Sequence, residues 1–113
     1  MSFFLELFKG SKHENIDGME LNILLKNNKK TLILDVRTSG EYSTFNIPKS
    51  KNIPVHELKS KLNTLDLYKN STIVVYCASG ARSNSAAKIL SRNGFNSVYN
   101  LKGGISSYIS KKK

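Results

Sequence analysis

Residues 71–76 read Ser-Thr-Ile-Val-Val-Tyr, and a cysteine follows at once. An uncharged run this rich in β-branched side chains has the length and character of a buried parallel strand. Behind Cys77 come Ala78, Ser79, Gly80, Ala81 and Arg82. Residues 83–93 then carry Ala86, Ala87, Ile89 and Leu90 on one apolar face, and Gly94 stands where a helix-terminating glycine belongs. A buried strand that feeds a helix through a short loop is the repeating unit of an α/β fold. The carboxyl end of such a strand is where ligands bind.

The flanking sequence repeats the alternation. Residues 14–16 suit a short first strand, and 19–26 have Met19, Ile23 and Leu24 at helical spacing. Residues 31–36 form a second continuous apolar run. Residues 39–43 suit one or two helical turns, ended before Ile47-Pro48 because proline removes a donor and restricts its predecessor. Asn52-Ile53-Pro54 is extended, and 55–62 places Leu58 and Leu62 one helical turn apart. Residues 97–99 make a last strand, and Gly103-Gly104 introduces a helix with Ile105, Tyr108 and Ile109 on one side. The expected architecture is α/β, with a central, mostly parallel five-stranded sheet and helices on both faces.

The chain has 113 residues, enough for one domain with its own core. The expected division is an amphipathic segment at 1–12, one domain at 13–110 and a basic tail at 111–113. The first segment holds Phe3, Phe4, Leu5, Leu7 and Phe8, interrupted by Glu6. It suits a short helix packed on the domain, with a weak membrane-surface anchor as the alternative. It lacks the basic start and cleavage site of a signal peptide. No apolar run approaches the roughly 20 residues that span a bilayer. A single cysteine excludes an internal disulfide and fits a reducing cytoplasm.

Charge is unevenly spread. The chain carries 18 Lys and Arg against 8 Asp and Glu. Beyond Asp66 there is no acidic side chain, so the half that holds Cys77 has a field favouring anions. Basic and aromatic residues are not interleaved as in a stacking platform, so no nucleic-acid partner is expected. Lys111, Lys112 and Lys113 read as a solvated tail. One cysteine with His13 and His56 far off in sequence makes neither a metal site nor a Cys–His protease, and no cofactor is expected.

The loop itself suggests chemistry. Ser79, Gly80 and Ala81 are small enough to let the backbone curl and aim N–H groups inward. Such a nest, in front of a helix N-terminus, binds anions. Arg82 adds a permanent charge. The same donors favour a thiolate over a thiol at Cys77, and the thiolate is the nucleophile.

Several stretches together resemble the rhodanese family. They are Asp35-Val36-Arg37, Glu41-Tyr42, Ile47-Pro48, Asn52-Ile53-Pro54, the run from Tyr76 to Ser83, Gly94-Phe95, Val98-Tyr99, Leu101 and Gly103-Gly104-Ile105. The resemblance covers most of the chain and implies a three-layer rhodanese-like fold. It implies a Cys77 persulfide cradled by the backbone N–H groups of Ala78 to Arg82. It also implies sulfur transfer from a small anionic donor such as thiosulfate to cyanide or a thiol, including a protein thiol. The chain departs from the family at Phe45-Asn46, where Gly-His is usual, at Lys49-Ser50, at Tyr108 and at Ala78. Ala78 stands where many relatives carry a basic residue, which bears on thiosulfate binding.

Two other functions are weighed against this one. A cysteine-dependent phosphatase or arsenate reductase would use the same thiolate, nest and arginine. Those enzymes place five residues between Cys and Arg, whereas four stand between Cys77 and Arg82. The shorter loop suits a single sulfur atom better than a phosphoryl group. A catalytically idle binding or regulatory module usually lacks the cysteine. Among supporting residues, Asp35 and Arg37 are expected to pair and order the loops, with Arg37 as a substrate contact the alternative. Glu41 is expected to be structural, pairing with Arg37. Ser83 is expected to cap the helix that follows it.

Overall fold

The computed structural model describes residues 13–28 and 30–112. The expected N-terminal segment 1–12 and Lys113 lie outside the described residues. Five strands form one sheet: β1 (Glu14–Ile16), β2 (Leu32–Asp35), β3 (Lys51–Asn52), β4 (Thr72–Tyr76) and β5 (Ser97–Leu101). Their spatial order is β1-β5-β4-β2-β3, and every pairing is parallel. The helices are α1 (Gly18–Asn27), α2 (Ser39–Thr44), α3 (Ala81–Ser91) and α4 (Gly104–Lys112).

Strand alternation sorts the apolar residues onto two faces. Leu32, Leu34, Val36, Ile73 and Val75 join Ala86, Ala87 and Leu90 of α3 in one cluster. Ile33, Val74 and Tyr76 join Leu21 of α1 and Ile105 and Tyr108 of α4 in the other. The three central layers are therefore helix, sheet, helix. Cys77 continues the alternation of β4 beyond its last paired residue and falls on the α3 face. The phase of the strand thus aims the sulfur at the N-terminus of α3.

Two expectations need correction. In α1 the buried face is Leu21, with Leu24 and Leu25 packed partly against the core, while Met19 and Ile23 are exposed. Residues 21, 24 and 25 share a face at i, i+3 and i+4; the pattern through 19 and 23 lies about half a turn away, on the opposite face. The helix expected at 55–62 is instead two 3₁₀ segments, Val55–Glu57 and Lys59–Tyr68. Here Ser60 Oγ donates to Glu57 O and Thr64 Oγ1 donates to Lys61 O, at 2.9 and 2.6 Å. Such side-chain bonds occupy carbonyls that an α-helix would use. Leu58 and Leu65 still supply the buried contacts.

The last helix holds the loop after β4. Its first amides, the orphan donors of any helix start, find carbonyls on that loop. Ile105 N–H donates to Cys77 O at 2.9 Å and Ser106 N–H to Ala78 O at 3.4 Å, with Ser106 Oγ on the same Ala78 oxygen at 3.2 Å. With these carbonyls turned toward α4, the amides that follow are free to turn toward the sulfur. Gly104 permits the approach. It has φ +63°, and a Cβ there would stand 2.5 Å from Cys77 O and from the Ala78 carbonyl carbon, and against Ala78 O as well. Gly104→Ala is therefore expected to cost about 1–3 kcal/mol from overpacking and a left-handed backbone. Urea unfolding measures this, and an unchanged midpoint would contradict the close docking.

Candidate active site

Cys77 is buried, 1% exposed, at the floor of the loop. Its Sγ accepts from Gly80 N–H at 3.1 Å and from Ser83 N–H at 3.4 Å, and lies 3.4 Å from Ser83 Oγ. Gly80 reaches this position with φ +116°, which a residue with a Cβ rarely adopts. It is also the N-cap of α3, so the sulfur lies at a helix start. Burial alone pushes the Cys77 thiol up. The hydroxyl and N–H of Ser83 and the N–H groups of Gly80 and Ser79 outweigh it, and the thiol lies below its ordinary value. Of the expected loop residues, Ser79, Gly80 and Ser83 thus act directly on the sulfur. Ala78 offers its carbonyl to α4, and Ala81 opens α3.

The expected ion pairs are partly rearranged. Asp35 and Arg37 pair as expected, with Arg37 Nη2 at 2.8 Å from Asp35 Oδ2, and both are buried. Arg37 Nη2 also donates to Phe45 O at 2.6 Å, and the guanidinium stands 5.5 Å from the Tyr76 ring centre. Burial pushes the Tyr76 hydroxyl up to about 12, which keeps it a neutral tie between Ile47 N–H and Ser50 Oγ. Arg37 therefore orders β2, the segment after α2 and β4.

Glu41 does not pair with Arg37. It takes Arg82 in a two-point grip, at 2.8 and 3.1 Å. The reason is directional: Arg37 turns inward on Asp35, while Glu41 stands in the first turn of α2. There it closes a capping box with Thr38 and faces the loop. The expected role of Ser83 also needs correction. The helix begins two residues earlier, so Ser83 lies inside its first turn, with Oγ between Gly80 O, Cys77 Sγ and Asn100 Oδ1.

Asn100 was not foreseen. It belongs to β5, which extends past the expected 97–99, and alternation puts it on the same face as Val98 and Cys77. A polar residue at an inward strand position was the available signal. Neither histidine is among the groups bonded to Sγ; His13 Nε2 meets Asn84 Oδ1 at 2.8 Å, and His56 stands 3.6 Å from Glu57.

The sequence profile of the rhodanese-like domain matches residues 20–111. A protein named sulfurtransferase from Allochromatium vinosum is 34% identical over 90 residues, covering 80% of this chain and 82% of that protein. The chain belongs to the rhodanese-like family. A rhodanese-related protein from Thermoplasma volcanium has the same fold, with a TM-score of 0.78 and 33% identity, over 88% of this chain and 93% of that one. A tRNA uridine(34) hydroxylase from Pelagibacter ubique is 38% identical over 104 residues, covering 89% of this chain and 34% of the hydroxylase. One from Buchnera aphidicola is 33% identical over 98 residues, covering 83% and 31%. The chain thus spans about a third of those hydroxylases. Among the described residues of this rhodanese-like chain, no helix is long and apolar enough to cross a membrane.

The Glu41–Arg82 pair gives the rhodanese-like site an acid-sensitive brace. The bond to Arg82, then the Thr38 N–H, hold the Glu41 carboxyl down at about 2, against an ordinary 4.5. A depressed carboxyl contributes stability above its unfolded value and loses it as pH falls toward the folded one. Glu41→Gln is expected to cost roughly 0.5–1 kcal/mol at neutral pH, the range of a solvent-screened pair. The gap between wild type and variant in urea midpoint should close as pH falls from 4.5 to about 2. A gap that stays constant would show that the carboxylate charge contributes nothing.

Proposed function

We propose that this chain is a sulfurtransferase that moves a sulfane sulfur through a persulfide on Cys77. The observation that carries the reading is the buried Sγ receiving amide hydrogen bonds from the curl of its own loop, at the start of α3. These donors favour the attacking thiolate before the reaction and a sulfur anion after it.

The thiolate attacks the outer sulfur of a donor. With thiosulfate, the bond between its two sulfurs breaks and sulfite leaves with the electron pair, so Cys77 becomes a persulfide anion. An acceptor thiolate or cyanide then attacks that outer sulfur and the Cys77 sulfur departs as a thiolate. With one cysteine in the chain, release by an internal disulfide is closed off. Cys77 carries the reacting sulfur and Ser79, Gly80 and Ser83 hold it; Glu41 braces the loop 78–82 through Arg82, and Asp35 with Arg37 braces the strand end beside it.

Two observations favour sulfur over phosphate. Four residues separate Cys77 from Arg82, and the Arg82 guanidinium is already engaged at two points by Glu41. A phosphatase needs that arginine for the phosphoryl oxygens. The same engagement, with Ala78 lacking a charge, leaves thiosulfate as a serviceable donor and puts less weight on a dianion as the physiological one. The match to the Allochromatium vinosum sulfurtransferase runs over 82% of that protein, so sulfur transfer, rather than tRNA hydroxylation, is the activity carried over.

Steady-state kinetics with varied thiosulfate and varied thiol acceptor test the reading. Parallel double-reciprocal lines are expected, the mark of a covalent intermediate, and Cys77→Ser should fall to background. Activity that survives Cys77→Ser, or intersecting lines, would count against it.

A further inference from the structure

The side of Ser83 away from the sulfur meets a buried amide. Asn100 is 5% exposed on the α3 face of β5. Its Oδ1 accepts from Ser83 Oγ, and its Nδ2 donates to Asn15 Oδ1 at 3.1 Å. Asn15 faces Asn100 in the parallel register of β1 and β5 and is exposed. Cys77, Ser83, Asn100 and Asn15 thus form one polar chain running from the thiol to the edge of the sheet.

The serine hydroxyl has one proton and three acceptors around it: Asn100 Oδ1, Gly80 O at 3.1 Å and Cys77 Sγ at 3.4 Å. With the proton on Asn100, Ser83 offers a lone pair to Sγ. That suits a thiol, which donates its own proton. It does not suit a sulfur anion, which needs a donor. A side-chain amide carries an acceptor at one end and two donors at the other, in nearly equal shapes. If Asn100 turns over, its Nδ2 donates to Ser83 Oγ. Asn15, turned likewise, donates to Asn100 Oδ1. Ser83 then accepts from Asn100 and donates to the sulfur. Each polar atom keeps a partner and the heavy-atom framework stays where it is.

We propose that Asn100, backed by Asn15, is a positioning residue that reverses the hydrogen bond of Ser83, from acceptor of the thiol proton to donor toward the sulfur anion. The reversal accompanies loss of the thiol proton to solvent and makes or breaks no other covalent bond. Its use in turnover rests on the reading of Cys77 as the sulfur carrier; the reversal itself belongs to the free thiol.

The charged groups on the surrounding elements are Arg82 of α3 with its partner Glu41 of α2, and Asp35 and Arg37 at the end of β2. His13 stands on Asn84 of α3, Glu14 and Asp17 flank Asn15, and Lys102 follows β5. None of these residues is itself altered when Asn100 or Asn15 is exchanged.

The test is the ultraviolet thiolate absorbance of the full chain against pH, with Cys77→Ser as the blank. Asn100→Asp cannot donate to Ser83. Asn15→Asp can only accept from Asn100, which holds Asn100 in its present direction. Both are expected to raise the midpoint by about one pH unit, on the order of a tenfold lower thiolate fraction at neutral pH. Asn15→Ala, which releases Asn100, should leave the midpoint at or below that of wild type. Asn15 is exposed, so its variants decide the matter if Asn100→Asp does not fold. The Asn15→Asp shift must persist at about 1 M salt, where screening acts within about 3 Å. A shift that vanishes there is a field effect and overturns the inference. So do unshifted midpoints with only a lowered Tm, which would make Asn100 a tie between strands. Shifted midpoints in a protein that forms no persulfide would leave this inference standing and remove the proposed function. Normal persulfide formation with unshifted midpoints would do the reverse.

Discussion

The carbonyls of Cys77 and Ala78 are held by the first amides of α4, Ile105 N–H at 2.9 Å and Ser106 N–H at 3.4 Å. The direction of the loop follows from these bonds. A peptide unit has its C=O and N–H on opposite sides, so holding the Ala78 carbonyl outward turns the Ser79 N–H toward the sulfur and sets the course of the chain into Gly80, whose own N–H follows. The sulfur then stands at the centre of a ring of donors rather than in front of a ring of oxygens. Two helix starts therefore serve one cysteine: α3 faces the sulfur directly, and α4 holds the first two peptides of the loop that leads to its donors. Gly104 is the residue on which this depends, because any side chain there would enter the space of the loop.

Around that core the charged residues act as braces more than as open binding groups. Arg37 is turned inward onto Asp35 and Phe45 O, and Arg82 is gripped by Glu41. The anion-favouring character of the site therefore comes from N–H groups and a helix start, held in place by paired charges, within a chain whose second half carries no acidic side chain beyond Asp66. Neutral, preorganised donors of this kind suit a single polarisable sulfur anion and gain in strength when water is excluded.

Much of this was legible in the sequence. The run at 71–76, the cysteine at its end, the small residues to Gly80 and the apolar face at 86–90 are all local signals; strand and helix both form there, the helix two residues earlier than expected, at Ala81–Ser91. Four intervening residues before Arg82 set the size of the loop. What the sequence did not show is what depends on distant contacts. Glu41 chooses Arg82 over Arg37 across 41 positions, and Leu21 rather than Met19 and Ile23 faces the core because α4 packs on that side. Ser83 lies inside α3 instead of capping it, because Gly80 supplies the cap position. Asn100 was hidden by the end of an apolar strand, where only its phase with Val98 marks it as facing inward. The amides of Ile105 and Ser106 are backbone groups that no side chain announces.

The central claim is that Cys77 itself carries the sulfur. Intact-mass measurement of the reduced chain after incubation with a sulfane donor tests it most directly. The account predicts a gain of about one sulfur atom, on the order of 32 Da, as expected for a covalent intermediate. The gain should be removed by cyanide and absent in Cys77→Ser. No adduct from thiosulfate or from a low-molecular-weight persulfide, with Cys77 shown to be reduced, would contradict it.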